Sequence, residues 1–186
     1  MHSLLPANGS TMNRIVLRIS TGVLLAAGLL LASYFFSPGP TATPAAALPP
    51  AWQSMHQAQL RIDTPANTKP QWLTVRVADD ANERAQGMQH LPASVIRDQP
   101  IWFVFDRPRA TGWHMSNVAL ALDIIYVDST GTVIAVERMQ PQGSGYGIST
   151  PIAAALEVAA GQAKRLGILP NTKLTLVRSP QATADE

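Results

Sequence analysis

Trp113, His114, Asn117 and Asp123 stand close together in the chain, and Arg84 precedes them with a charge opposite to that of Asp123. A flat aromatic ring beside hydrogen-bonding groups and a carboxylate is the make-up of a small-molecule site. Trp113 is the stacking wall, His114 and Asn117 the hydrogen-bonding groups, and Asp123 the acceptor or the group that orients Arg84. Each residue also has a structural reading. Asn117 suits a turn, where its side chain bonds the local backbone. Asp123, among Leu122, Ile124 and Ile125, can face solvent on an alternating strand or accept bonds from Arg84 or a backbone N–H. Glu83 and Arg84 open a helix, where capping and an ion pair account for them.

Catalytic signatures are scarce. The chain has no G-x-S-x-G elbow, no H-E-x-x-H and no S-x-x-K. The glycines between residues 143 and 147 lack the following Lys-Ser/Thr of a phosphate loop, so this stretch reads as a flexible loop. Asp106 and Asp123 could serve as paired carboxylates only if the fold brought them face to face, and Trp102 and Trp113 as a carbohydrate platform only if both escaped the core. The favoured reading is a non-catalytic binding or accessory module without a cofactor. A second reading is a hydrolase of envelope polymers with Asp123 and His114 as acid/base groups. A third is metal binding by His90, His114, Met88, Met115 and Met139. Against the third, His114 and Met115 are neighbours that point oppositely on a strand, and Met more often fills core gaps; no metal ligand is therefore assigned.

These side chains need a scaffold, and the hydrophobic pattern outlines one. Residues 71–77 (QWLTVRV) alternate, with Leu73, Val75 and Val77 on one face. Asp80 followed by Glu83 has the spacing of a capping box, which predicts a short helix stopped by Pro92. Residues 100–105 (PIWFVF) read as an apolar strand that turns at 106–109 around Pro108. The clearest element is a hairpin, LDIIYV and TVIAVE around Asp128-Ser129-Thr130-Gly131, with Gly131 where positive φ is expected. Residues 151–166 fit either a helix or a strand over 154–158 followed by a short helix closed by Gly167. Leu169-Pro170-Asn171 turns into a last strand over 173–178. The expectation is a β-dominated α+β domain, a small antiparallel β-sandwich or barrel-like body with two short helices, over residues 58–180 and followed by a flexible tail at 181–186.

Charge places the chain. Its 14 Lys+Arg against 12 Asp+Glu give a net charge of +2. Two of the 14, Arg14 and Arg18, precede residue 51; the other 12 equal the 12 acidic residues, all of which follow it, so residues 51–186 are formally neutral. A neutral body without basic clusters argues against a nucleic-acid partner, and the lack of cysteine removes disulfides and thiol nucleophiles. Residues 19–36 (ISTGVLLAAGLLLASYFF) form an uncharged apolar run after a basic leader at 1–18, near the minimum that spans a bilayer. The next basic residue is Arg61, so the leader is expected in the cytoplasm and the body outside the inner membrane, in the periplasm. A cleaved signal peptide ending at Ala47 is the alternative, and Met12 is an alternative start. Residues 37–57, with five prolines before Ala51, read as a spacer. The expected partners are the membrane, through this segment, and a small-molecule or envelope ligand.

Taken in order, Asn82-Glu83-Arg84, Gly87-Met88, Leu91-Pro92, Phe103 and Phe105, Trp113-His114-Met115-Ser116-Asn117, Leu122-Asp123-Ile124, the turn from Asp128 to Gly131, Tyr146, Leu156-Glu157, Gly161 and Gly167-Ile168 resemble the family called domain of unknown function 192. The resemblance runs over about residues 72–176. Ser116, Val118, Ala121 and Asn171 stand where that family usually has Lys, Thr, Pro and Asp. It implies a small β-sandwich-like domain, often exported, and no established activity.

Overall fold

A computed structural model of the protein describes residues 47–177. The apolar run at 19–36, the basic leader and the tail at 181–186 lie outside the described residues, and the membrane reading with them. Among the described residues no helix is long and apolar enough to cross a membrane.

The elements are α1 (Pro50–Ser54), β1 (Gln57–Asp63), β2 (Gln71–Ala78), α2 (Ala81–Gln86), α3 (Ala93–Asp98), β3 (Ile101–Arg109), β4 (Trp113–His114), β5 (Leu122–Val127), β6 (Val133–Met139), β7 (Ser144–Tyr146), β8 (Ile152–Ala159), α4 (Gln162–Arg165) and β9 (Lys173–Val177). Seven strands make one sheet in the order β6-β5-β8-β3-β2-β1-β9, and β4 pairs with β7 in a small second sheet. All pairs in the large sheet are antiparallel except β2 with β3, whose crossover carries α2 and α3. The sheet curls until its two edges meet at one corner: Val133 N–H donates to Thr172 O, Asn171 N–H to Val133 O, and Leu174 N–H to Gly131 O. Of the two expected architectures the barrel-like one forms, as a curled half-barrel.

Curling gives the sheet two cores. Leu60, Ile62, Val75, Val77, Trp102, Ile125, Val127, Leu156 and Val158 fill one, with Ala163 of α4. Ile101, Phe103, Leu122, Ile124, Tyr126 and Met139 form the floor of the other, covered by Trp52 of α1, Met88, Ile96 of α3 and Met115. Strand β5 is therefore buried along its whole length, as a strand with apolar layers on both faces must be.

Gly131 holds the closing corner. Its φ is +83°, and a Cβ there would lie 2.5 Å from Leu174 O, too near for any side chain. Gly131→Ala is expected to cost about 2 kcal/mol, from the left-handed backbone plus displacement of the β9 carbonyl. Urea unfolding checks it; an unchanged midpoint would show that the corner tolerates opening.

Four helices are present among the described residues where two were expected. Helix α2 has the full capping box: Asp80 accepts from Glu83 N–H and Glu83 accepts from the Asp80 backbone. It stops at Gly87, with φ of +46°, not at Pro92, which instead caps the unexpected α3. The spacer assignment for 37–57 runs too far. Pro50 starts a helix, a position where its missing N–H costs nothing, and Trp52 is 2% exposed in the core with the Arg76 guanidinium 4.0 Å over its ring. Pro108 does not turn the chain; β3 continues to Arg109 across a register shift after Val104, where a residue lacking N–H is tolerated. Residues 151–166 resolve as strand then helix, the second of the two alternatives.

Candidate functional site

A cleft of about 440 Å³ opens over the second core, between α2, β3 and the chain from Ala110 to His114. Met88, Phe103, Phe105, Trp113 and Val118 supply its apolar walls, and Arg84, Arg109, His114 and Glu157 its ionisable groups. Strand β3 alternates, so Phe103 and Phe105 share a face while Trp102 enters the opposite core. The Trp113 ring meets Phe103 edge-on, with centroids 4.9 Å apart and planes at 84°, a favourable aromatic geometry. Its Nε1 donates to Thr111 Oγ1 at 2.9 Å, which fixes the ring. Gly87 lines the cleft at φ of +46°, where a side chain would be strained; a Cβ there would make ordinary contacts, 3.6 Å from Phe103 Cζ and 3.8 Å from Glu157 Oε2.

Of the five residues proposed from the sequence, the cleft gathers Arg84, Trp113 and His114. Arg84 donates through Nη1 to the carbonyls of Asp79 (2.7 Å) and Val104 (3.1 Å). It has no carboxylate partner among the described residues, where the ion pairs are His56–Asp79, Arg61–Asp63 and Arg138–Asp123. His114 is exposed, and its Nδ1 accepts weakly from Ser116 N–H at 3.4 Å. Asn117 is not in the lining; it is an exposed turn residue with φ of +58°, whose carbonyl accepts from His90 N–H.

Asp123 is placed elsewhere by sheet parity. It pairs across β8 with Val158, so its side chain shares the face of the α4 core. There it accepts from Arg138 Nε at 2.5 Å, Gly161 N–H at 2.7 Å and Ala163 N–H at 3.3 Å. The expected pairing with Arg84 does not occur, and Asp123 with His114 does not form an acid/base pair. Met88, Met115 and Met139 are buried core residues, as is common for a flexible thioether; among the described residues no three His, Asp or Glu side chains gather as a metal-ligand group.

The residue that sequence reasoning missed is Glu157. It lies opposite Ile101 of β3 and Ile124 of β5, on the cleft side of the sheet, and is 5% exposed. Its Oε2 is buried without any hydrogen-bond partner. Burial alone pushes its carboxyl up to about 8, because a desolvated carboxylate with no donor is unfavourable. The available signal was the acid itself inside the apolar run IAAALEVA, since charged residues are almost never fully buried unless paired.

The chain belongs to the domain of unknown function 192 family, described as "Uncharacterized ACR", whose model matches residues 62–176. Among solved structures, it is similar to a protein of Sinorhizobium meliloti provisionally described as a transcription regulator, at 30% identity and a TM-score of 0.61, covering 66% of this chain and 95% of that one. It also shares its fold with a Novosphingobium aromaticivorans protein of unknown function, at 22% identity and a TM-score of 0.61, covering 75% and 99%. No functionally curated protein matches the chain.

Proposed function

We propose that the domain is a small-molecule-binding module whose cleft takes a compact organic anion with an aromatic or apolar body. The observation that carries this reading is Glu157, a buried carboxyl with an unsatisfied oxygen at the wall of a cleft that joins aromatic surfaces to basic groups. Buried polar atoms are nearly always paired, and one left open beside a cavity marks a place where a ligand completes the set. Charge selects the ligand's sign: Arg84 and Arg109 line the cleft, and Glu157, held neutral by its surroundings, does not offset them. Trp113 and Phe105 supply the surfaces for the ligand's flat or apolar part.

The membrane reading of residues 19–36 joins this as a proposal: the module is presented on the outer face of the inner membrane. A nucleic-acid partner is not favoured, since residues 51–186 carry equal numbers of acidic and basic groups.

The test is thermal unfolding of the full chain against a panel of aromatic and aliphatic carboxylates at millimolar concentration. Binding at 100-fold excess over Kd adds about 2.7 kcal/mol to stability, and Trp113→Ala is expected to abolish that gain. A panel without a single stabilising member ends this reading.

A further inference from the structure

A neutral acid and an ionised one recognise different ligands, and Glu157 can be either. As a carboxylate it would seek a cation; as an acid it offers one O–H donor and accepts through its other oxygen. Its surroundings decide between these. Across the cleft, α2 contributes Arg84, β3 contributes Arg109 and β4 contributes His114. On the sheet itself, the Tyr126 hydroxyl of β5 is committed to Glu137 Oε2 of β6 at 2.7 Å and does not serve Glu157. Helix α3 touches β8 and buries Ile96, while its Arg97 and Asp98 are exposed. None of these groups bonds Oε2, although two guanidinium groups border the same cavity. An ammonium ligand would enter a cleft already lined by Arg84 and Arg109; a carboxylate would be drawn by them and would meet Glu157 as the remaining donor.

Resting on the binding reading above, we propose that Glu157 recognises the ligand as a neutral acid, donating its O–H to an oxygen of a bound carboxylate, so that the cleft selects small aromatic carboxylates and loses them when Glu157 ionises. Burial supports the neutral form before the ligand arrives, and an anion beside it strengthens that preference, as in carboxyl pairs that share one proton. Binding is accordingly linked to a proton: ligand and proton are held together above the pH at which the free acid ionises.

Three probes of similar size and different charge test this on the full chain: benzoate, benzyl alcohol and benzylamine, titrated between pH 6 and 9.5. Benzoate is expected to bind best, with affinity level in the lower part of the range and falling by up to tenfold per pH unit once Glu157 ionises. Calorimetry of the wild-type chain in two buffers of different ionisation enthalpy should show proton uptake with benzoate at the upper end, a measurement that needs no variant. In E157Q the amide N–H donates at every pH, so the fall disappears and at pH 9.5 the variant binds benzoate more tightly than the wild type does. Preference for benzylamine, strengthening as pH rises, overturns the proposal by making Glu157 an anionic partner. Benzoate binding that is flat with pH in the wild type overturns it while leaving the binding reading intact. Failure of all three probes while another carboxylate of the panel stabilises the chain overturns this proposal alone; failure of the whole panel removes both.

Discussion

Asp123→Ala is expected to cost the domain about 3 kcal/mol and to lower Tm by roughly 10 °C, while the cleft keeps its shape. The carboxylate is 5% exposed and has three donors: Arg138 Nε and the N–H groups of Gly161 and Ala163. The two backbone bonds pin the start of α4, a single turn whose preceding residue, Gly161, sits at φ of +85°. Such a short helix has no stability of its own, and the Asp123 anchor substitutes for the side-chain cap that Gly161 lacks. Hydrogen bonds to charged groups contribute about 1.5–3 kcal/mol each before non-additivity, and Arg138 is half exposed, so its share is reduced by solvent. Each kcal/mol corresponds to roughly 3–5 °C in a domain of this size. Urea unfolding measures the loss. Asp123→Asn should retain part of the stability, since an amide oxygen still accepts one backbone bond, and it should leave probe binding in the cleft unaffected, because the side chain lies on the other face of the sheet. A variant with unchanged Tm and lost binding would restore Asp123 to the site.

The placement of Asp123 on the face away from the cleft shows where sequence stops being informative. The hairpin from Leu122 to Met139 was legible because its pairing is local: alternation sets the faces, and Asp128-Ser129-Thr130-Gly131 sets the turn. Asp128 does what such a turn asks. Its burial, which works against ionisation, is outweighed by bonds from Thr130 Oγ1 and the Thr132 and Thr130 N–H groups and by the charge of Lys173, so its carboxyl is held below the usual range. The same alternation told that Asp123 and Ile124 face opposite ways. It could not tell which way faces a cleft, because that depends on the register of β5 against β8, a contact between residues more than thirty positions apart in the chain, as in Asp123 with Val158. Register is set by the whole hydrophobic pattern, and a slip of one residue exchanges the faces.

Trp113 and Arg84 do line the cleft, a placement that depends less on register because both stand beside turns or at a helix end. The capping box over Asp80 and Glu83 was local and correct. In contrast, Trp52 was hidden in a window dominated by proline and alanine, where average composition outweighed one large side chain that now lies in the core. Helix α3 was hidden because a single proline was read as an end and not as a beginning. Family membership was legible from the order of the motifs, and it supplies a fold without a reaction.

The pH dependence of stability should carry the clearest signature of Glu157. Burial raises its folded-state carboxyl to about 8 from an ordinary value of 4.5. Between these values the folded chain holds a proton that the unfolded chain has released, so stability from this group is full below about 4.5 and is lost as pH rises towards 8. The slope approaches 1.4 kcal/mol per pH unit in that window, a loss of several kcal/mol in all for a group this deeply buried. Urea midpoints of the wild type are expected to fall from pH 5 to pH 8 and then level off. In Glu157→Gln that fall should disappear, and the difference between the two curves cancels histidines and every other group that both proteins share. Equal slopes in the two proteins would move the titration elsewhere and take the support from a neutral Glu157. Glu157→Leu extends the argument, since it replaces an unpaired acid by an apolar group of similar size next to Phe103 and Gly87. Removing the desolvation cost should raise stability at pH 8 by on the order of 2 kcal/mol. The same variant should lose benzoate binding. A carboxyl whose removal strengthens the fold and empties the cleft is retained for what it binds, since sites of this kind trade stability for function. Gained stability with binding retained would instead leave the acid without a role in the cleft.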